Sequence, residues 1–488
     1  MDPGLSWARL AEMDARTPSL PPDIAGRFAA IVGEAYAVRD PAEIAPYLIE
    51  PRAKFHGRTA LVLRPGSAGE VSDILRLANQ TGTPIVPQGG NTGVVGGQVP
   101  DASGGQVIVS LSRLNGIREV DTDGDTMTVE AGVVLAAAQA AADAADRLFP
   151  LSLASEGSCE IGGNVSTNAG GTAVLAYGNM RNLVLGLEVV LPTGEVWEGL
   201  RRLRKDNTGY DLRDLFVGAE GTLGIITAAV LRLFPKPRGT SVAFVGVKDP
   251  DAALALLDIA RAQAASGLTA FELIPRIAID VVLRHVPGTR DPLAGVHDWY
   301  VLFEVSSSRS EADAEQTVEA IFGEGVARDV VEDGVQARSL DQANAFWRIR
   351  HTLSEVQKEE GGSIKHDVAV PVAAVPEFIR RANAAVTAMI PGARPFPFGH
   401  VGDGNIHYNI SQPVGADKAA FLARWDEVNQ RVHGIVADLG GTISAEHGIG
   451  TLKRGMLAAV KPPIELDLMR RIKAAFDPNG ILNPGKVL

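Results

Sequence analysis

Two short segments near the C-terminal end carry the side chains best suited to chemistry. His400-Val-Gly-Asp-Gly-Asn-Ile-His407 offers two imidazoles, and Ala445-Glu446-His447-Gly448 adds a carboxylate and a third imidazole. The chain has nine histidines, and three of them lie in these segments. Imidazole with carboxylate is the ligand set of a zinc-type Lewis acid. Gly399, Gly402 and Gly404 bracket a turn, so a strand–turn–strand would bring both rings to one side. The spacing alone leaves a structural role open for the pair. It leaves His447 as either a fourth ligand or a base.

A second constellation lies upstream. Arg350 and Ser354 are four apart, so on a helix they share a face. Lys365 opens a strand, 365–370, after the Gly361-Gly362 turn. Cations so placed can hold carboxylates, and arginine does so bidentately. A solvated helix face and an ordinary strand start account for the same residues.

The elements that must position these groups follow from local signals. Ser67-Ala-Gly-Glu70 is a capping box opening a helix that ends near Gly82. Strands are expected at 83–86, 106–111, 126–129, 184–191, 195–197 and 225–233, and an alanine-rich helix over 133–148. Asp121 to Asp125 is a hairpin turn, since its glycine is misplaced for a calcium loop. Pro235-Lys-Pro237 marks a boundary. Beyond it come a helix from Asp249 to Gly267, a strand at 299–305 and a helix at 309–322. A helix at 463–476 belongs to the closing segment. The expected division is 1–237, 238–440 and 441–488.

Size and composition bound the function. At 488 residues, two or three domains are expected. A formal charge of −12 argues against nucleic acid as a partner. No run of 18 apolar residues occurs, and Met1 to Pro21 lacks an apolar signal core. The single cysteine, Cys159, has no intrachain partner, so the expected compartment is the cytoplasm.

Three glycine clusters occupy the first half: 88–97, 157–171 and 218–224. Consecutive glycines let backbone N–H groups converge on an anion. No P-loop and no GxGxxG is present, so neither of those sites explains them. Three such loops bracketed by short strands favour a dinucleotide cofactor. A zinc hydrolase would use the metal segments but leave the glycine loops without a purpose. A non-catalytic flavin-binding subunit would need the loops but not the His/Glu set.

Pro84-Ile-Val-Pro-Gln-Gly-Gly-Asn-Thr-Gly93 resembles the diphosphate loop of the vanillyl-alcohol-oxidase-type FAD family. Gly157-Ser-Cys-Glu-Ile-Gly-Gly-Asn-Val-Ser-Thr-Asn-Ala-Gly-Gly171 and Gly218-Ala-Glu-Gly-Thr-Leu-Gly-Ile-Ile226 resemble its second and third FAD segments. The resemblance implies an α+β fold: a two-subdomain FAD-binding domain, an α+β substrate-binding cap domain and a short C-terminal helical segment closing on the flavin. It implies that Gly89, Gly90, Asn91 and Thr92 meet the diphosphate. It places Gly157, Ser158, Gly162, Gly163, Asn164, Thr167 and Gly170 along the flavin, with Gly221 and Ile226 nearby and Asn483 reaching in from the tail. The diphosphate loop has no His or Cys for a covalent link, so non-covalent FAD is expected.

The metal segments resemble the D-2-hydroxyacid dehydrogenase branch of that family. Ser444-Ala-Glu-His-Gly-Ile-Gly450, Lys453-Arg454 and Lys461-Pro-Pro463 look closer to its D-2-hydroxyglutarate enzymes than to its D-lactate enzymes. The resemblance implies His400, His407 and Glu446 as ligands of Zn2+ (or Mn2+ or Co2+), and His447 as catalytic base. It implies Arg350, Ser354, Lys365 and Asn409 as substrate-binding residues. The implied reaction oxidises a D-2-hydroxy acid to the 2-oxo acid, by proton abstraction from a metal-chelated hydroxyl and hydride transfer to flavin N5. D-2-hydroxyglutarate is the first expectation, with D-lactate, glycolate and D-malate as alternatives. An electron-transfer flavoprotein or quinone as acceptor and a homodimeric state complete the expectation.

Overall fold

The computed structural model describes residues 20–488, so all but the end of the segment read for a signal core lies outside the described residues. The capping box does what its residue types require. Ser67 Oγ accepts from the Glu70 N–H at 3.1 Å and Glu70 Oε2 accepts from the Gly66 N–H at 2.7 Å. The helix Ala68–Thr81 then ends at Gly82 in the left-handed conformation. Strand Ile85–Gln88 follows and delivers the first glycine loop. It lies parallel to Val107–Ser110, which also pairs in parallel with Val62–Leu63; Ala37–Val38 completes a four-stranded sheet.

A five-stranded antiparallel sheet stands beside it, in the order Ile117–Asp121, Thr126–Glu130, Ile225–Arg232, Val184–Val190, Val196–Gly199. Asp121 Oδ1 accepts the N–H groups of Asp123 and Gly124 and so turns its first hairpin. The alanine-rich segment expected as one helix over 133–148 is helical only over Leu135–Ala144. Asp146 adopts a left-handed φ of 54° and turns the chain, and Arg147–Leu148 pairs instead with Phe234–Pro235.

The second half is built on one eight-stranded sheet. Its path runs Asp333–Gln336, Gly239–Val247, Trp299–Ser307, Leu268–Pro275, Arg394–His400, Asn405–Ser411, Ser363–Lys365, with Val368–Ala369 also on Asn405–Ser411. Helices cover both faces. Pro250–Ala264, Glu311–Ala327, Val375–Met389 and Trp425–Asp438 contribute to one core, together with Ile406, Tyr408 and Ile410. Arg276–His285 and Leu340–Val356 contribute to the other, together with Phe396 and Phe398. Side chains alternate along a strand, so His400, His407 and Asn409 belong to the second face, under Leu340–Val356. The strand expected over 365–370 is broken at His366 and Asp367, because Asp367 leaves the ladder to accept bonds from the C-terminal segment. Among the described residues no helix is long and apolar enough to cross a membrane.

Two buried histidines sit against the first face. His366 Nδ1 bonds the Tyr408 carbonyl at 2.7 Å, and its ring meets that of His433 at 5.5 Å. Burial, then the His433 ring, lowers His366 to about 3. Burial, then Lys453, lowers His433 to about 4. Both folded values lie below the ordinary value near 6.5, so the unfolded chain binds these protons first. Their contribution is complete above pH 6.5 and is lost as pH falls toward 4 and 3. At pH 5 the cost is ~2 kcal/mol per histidine. Calorimetric Tm should therefore fall between pH 7 and pH 5, and fall less in His433→Gln. An identical drop in both proteins contradicts this assignment.

Candidate active site

A cleft of about 840 Å³ opens where the three glycine loops meet. Gly89, Gly90, Asn91, Thr92, Gly162, Gly163, Asn164, Thr167, Gly221, Ile226 and Asn483 all line it. Gly157, Ser158 and Gly170 do not. The Ser158 carbonyl backs the diphosphate loop so closely that a Cβ on Gly90 would lie 2.0 Å from its oxygen. Asn168, at φ 50°, turns the chain after the short helix Ile161–Ser166, and the Gly171 N–H then reaches Glu446 Oε1 at 2.9 Å. Gly170 and Gly171 therefore border the histidine cluster rather than the cleft. The Asn91 amide is also occupied, donating to the carbonyls of Pro46 and Ile49.

The cleft suits a large polar cofactor. Gln88 Oε1, Glu160 Oε2, Asn164 Nδ2 and Asn483 Oδ1 are buried without a protein partner, and all four residues line it. Buried polar atoms left so are ordinarily satisfied by a ligand or water. Burial lifts the Glu160 carboxyl to about 7, so it can donate as well as accept. Cys159 is buried behind the cleft, and burial pushes its thiol up.

The metal-type cluster assembles as the glycine spacing requires. Strands Arg394–His400 and Asn405–Ser411 form a hairpin, and Glu446 approaches from the closing segment. One ligand atom from each of His400, His407 and Glu446 lies within 4.8 Å of the others. His400 Nε2 is 3.5 Å from Glu446 Oε1, and His407 Nε2 is 3.9 Å from Glu446 Oε2. Burial holds the His407 ring well below its ordinary range, which leaves a neutral imidazole. Burial lifts the Glu446 carboxyl, against the pull of His400. Two imidazoles and a carboxylate that burial disfavours in its charged form are a donor set a divalent cation would stabilise.

Two carboxylates absent from the sequence reading organise these rings. Glu272 is fully buried and pairs across the sheet with His400. Its Oε1 lies 2.5 Å from His400 Nδ1, and its Oε2 accepts from Arg350 Nε at 2.5 Å. Burial alone would lift this carboxyl, but Arg350 and His400 outweigh it and hold it at about 2. Burial would lower His400, but Glu272 overrides it and raises the ring to about 9. Asp367, also buried, accepts the N–H groups of Glu446 and His447 at 3.0 Å each and the Asn405 amide at 3.1 Å. Its Oδ2 lies 3.2 Å from His447 Nδ1. Burial opposes the charge on Asp367, yet His447, Lys453 and His407 keep it well below the carboxylate range. Burial pulls the His447 ring below its ordinary value, against Asp367 and Glu446. His447 lines the cofactor cleft.

The substrate-type residues converge on the same face. Lys365 and Asn409 are directly paired across neighbouring strands. Lys365 Nζ donates to the Ser354 carbonyl at 2.5 Å, and Asn409 Nδ2 donates to Gln357 Oε1 at 2.7 Å. Ser354 is thus present through its main chain. Arg350 Nε donates to Glu272, and its Nη2 lies 3.5 Å from His400 Nε2.

Residues 236–487 match the family model described as FAD linked oxidases, C-terminal domain, and residues 59–199 match the FAD binding domain. The mitochondrial D-2-hydroxyglutarate dehydrogenase of Arabidopsis thaliana is 37% identical over 485 residues, 99% of this chain and 85% of that protein. The D-2-hydroxyglutarate–pyruvate transhydrogenase of Saccharomyces cerevisiae is 36% identical over 455 residues, 92% of this chain and 90% of that one. Among solved structures, p-cresol methylhydroxylase with substrate bound superposes with a TM-score of 0.76 at 16% identity, covering 99% of this chain and 98% of that one. That likeness shows a shared fold. The chain belongs to the FAD-linked oxidases, with an FAD-binding domain of the vanillyl-alcohol-oxidase type.

Proposed function

We propose that this protein is an FAD- and metal-dependent dehydrogenase of D-2-hydroxy acids, with D-2-hydroxyglutarate as substrate. The single observation that carries the reading is the adjacency of Glu446 and His447: one joins the His400–His407 cluster, the other lines the cofactor cleft. The names of the relatives from Arabidopsis thaliana and Saccharomyces cerevisiae supply the substrate class. Segment 238–440 is the proposed substrate domain, and the FAD is proposed to be non-covalent, since Cys159 does not line the cleft.

When bound, a divalent metal at His400, His407 and Glu446 supplies Lewis acidity toward the substrate hydroxyl, and FAD supplies the acceptor for the hydride leaving C2. Asp367 faces His447 Nδ1, which directs the ring's proton there and leaves Nε2 as the basic atom. Burial keeps that imidazole neutral near pH 7, ready to take the hydroxyl proton. Glu272 holds His400 by Nδ1 and so turns Nε2 toward Glu446. Lys365, lowered to about 8 by burial and then by the Arg52 charge, stays charged at pH 7 and, with Arg350, meets the substrate carboxylates. Asn409, held by Gln357, positions the substrate beside it.

Anaerobic mixing with D-2-hydroxyglutarate, D-lactate, D-malate and glycolate should bleach the flavin fastest with the first. His447→Ala should retain its FAD spectrum and bleach about 10²- to 10⁴-fold more slowly. Parent-like bleaching in that variant removes His447 as the base. Glu272→Gln should weaken Zn2+ binding, measured by chelator competition, about 10- to 100-fold. Unchanged affinity shows that Glu272 does not orient a metal ligand.

A further inference from the structure

Glu160 is a buried carboxyl that no step of the proposed chemistry uses. It stands in the second glycine segment, directly before the short helix Ile161–Ser166, and its backbone pairs with Val134. The residue is 7% exposed, and its side chain makes no capping bond to the helix it precedes. Oε2 is buried with no hydrogen-bond partner among the described residues. Its place is fixed by the glycines around it. A Cβ on Gly89 would lie 3.4 Å from Glu160 Oε2 and 3.7 Å from the Gly163 nitrogen. The oxygen therefore stands between the first and second glycine segments, and all three residues line the cleft.

Both segments are suited to receive an anion through their backbone N–H groups. An ionised carboxylate between them would repel that anion and offer it no donor. The neutral acid has an O–H to donate and no charge to oppose. Burial favours the neutral form and lifts the carboxyl to about 7, against the pull of Arg64. Arg64 Nε is turned to Ser112 Oγ at 3.4 Å. The other titratable residues lining the cleft are engaged elsewhere. Glu220 accepts the N–H groups of Ile449 and Gly450, and His447 faces Asp367. The neighbouring Cys159 thiol is pushed up by burial and stays neutral, and exposed Glu156 acts on that thiol rather than on Glu160.

We infer that Glu160 holds FAD as a neutral carboxylic acid, donating its proton in a hydrogen bond to a diphosphate oxygen, so that the protein loosens its cofactor as Glu160 ionises. This role rests on FAD binding alone. It involves neither the metal nor a hydroxy acid, so its failure would leave the dehydrogenase reading untouched. The direction of the pH effect follows from linkage. If the cofactor-bound form keeps the proton that the free form loses near pH 7, affinity for FAD must fall as pH rises above that value.

The test is the Kd for FAD between pH 6 and pH 9, read from the flavin fluorescence that appears on serial dilution of holoenzyme. The parent's Kd should rise about 10- to 50-fold from pH 7 to pH 9. In Glu160→Gln the amide donates without a proton to lose, so Kd should stay within about threefold of the parent's at pH 7 and rise far less by pH 9. Glu160→Ala lacks the donor, and its Kd at pH 7 should be about 10-fold higher than the parent's. Other groups that titrate in this range are common to all three proteins. Parallel pH profiles in parent and Glu160→Gln, or parent-like affinity in Glu160→Ala at pH 7, overturn the assignment. Should Glu160→Gln fail to fold, infrared difference spectra of the parent at pH 8 decide. A neutral carboxyl band present with FAD and lost on its removal is expected, and absence of that band overturns the role.

Discussion

Burial of carboxylates among imidazoles is the constraint on which this site depends. Glu272 and Asp367 each lie within the protein, and each faces one ring of the cluster. A buried carboxylate is tolerable only when paired and hydrogen-bonded. Glu272 meets that condition with Arg350 and His400, and Asp367 meets it with two backbone N–H groups, Asn405 and His447. The requirement runs both ways. The carboxylates cannot stay buried unless the rings are where they are, and the rings are thereby fixed in tautomer and direction. A cluster built so has its donor atoms turned inward before any ligand arrives.

The same logic joins the two halves of the chain. Glu220, from the third glycine loop, accepts the N–H groups of Ile449 and Gly450 at 2.6 and 2.8 Å. Lys486 donates to the carbonyls of Gly96 and Val99, and the Asn483 amide reaches those of Gly97 and Glu220. The closing segment is therefore sewn onto the cofactor loops by groups that burial forces to find partners. Since Glu446 and His447 belong to that segment, the tie also holds His447 at the wall of the cofactor cleft. Positioning of this kind is where much of the barrier reduction in a two-substrate-site enzyme originates.

How much of this was legible in the sequence follows from the range of each interaction. The turn between His400 and His407 is local: its glycines and its alternation foretell a hairpin with both rings on one side, and the hairpin is there. The glycine loops foretell backbone exposed to an anion, and most of their residues line one cleft. Glu272 was not legible, because its partner His400 is 128 positions away and only sheet register brings them together. The signal it left is an acid within Leu268–Pro275, a strand buried along its whole length. Arg350 reads as a carboxylate binder, and its Nε meets the protein's own Glu272, a contact that no local spacing announces. Asp367 broke the strand expected over 365–370 for the same reason, trading a ladder position for long-range partners.

The central claim is that His400, His407 and Glu446 hold a metal without which the cofactor cannot be reduced by a hydroxy acid. Stopped-flow flavin reduction under anaerobic conditions tests it, comparing protein as purified, after chelator treatment and after Zn2+ is restored. The account predicts that the chelated protein keeps its bound flavin spectrum, loses reduction by D-2-hydroxyglutarate and regains it with Zn2+. Reduction at the parent rate in protein shown to be metal-free would contradict it.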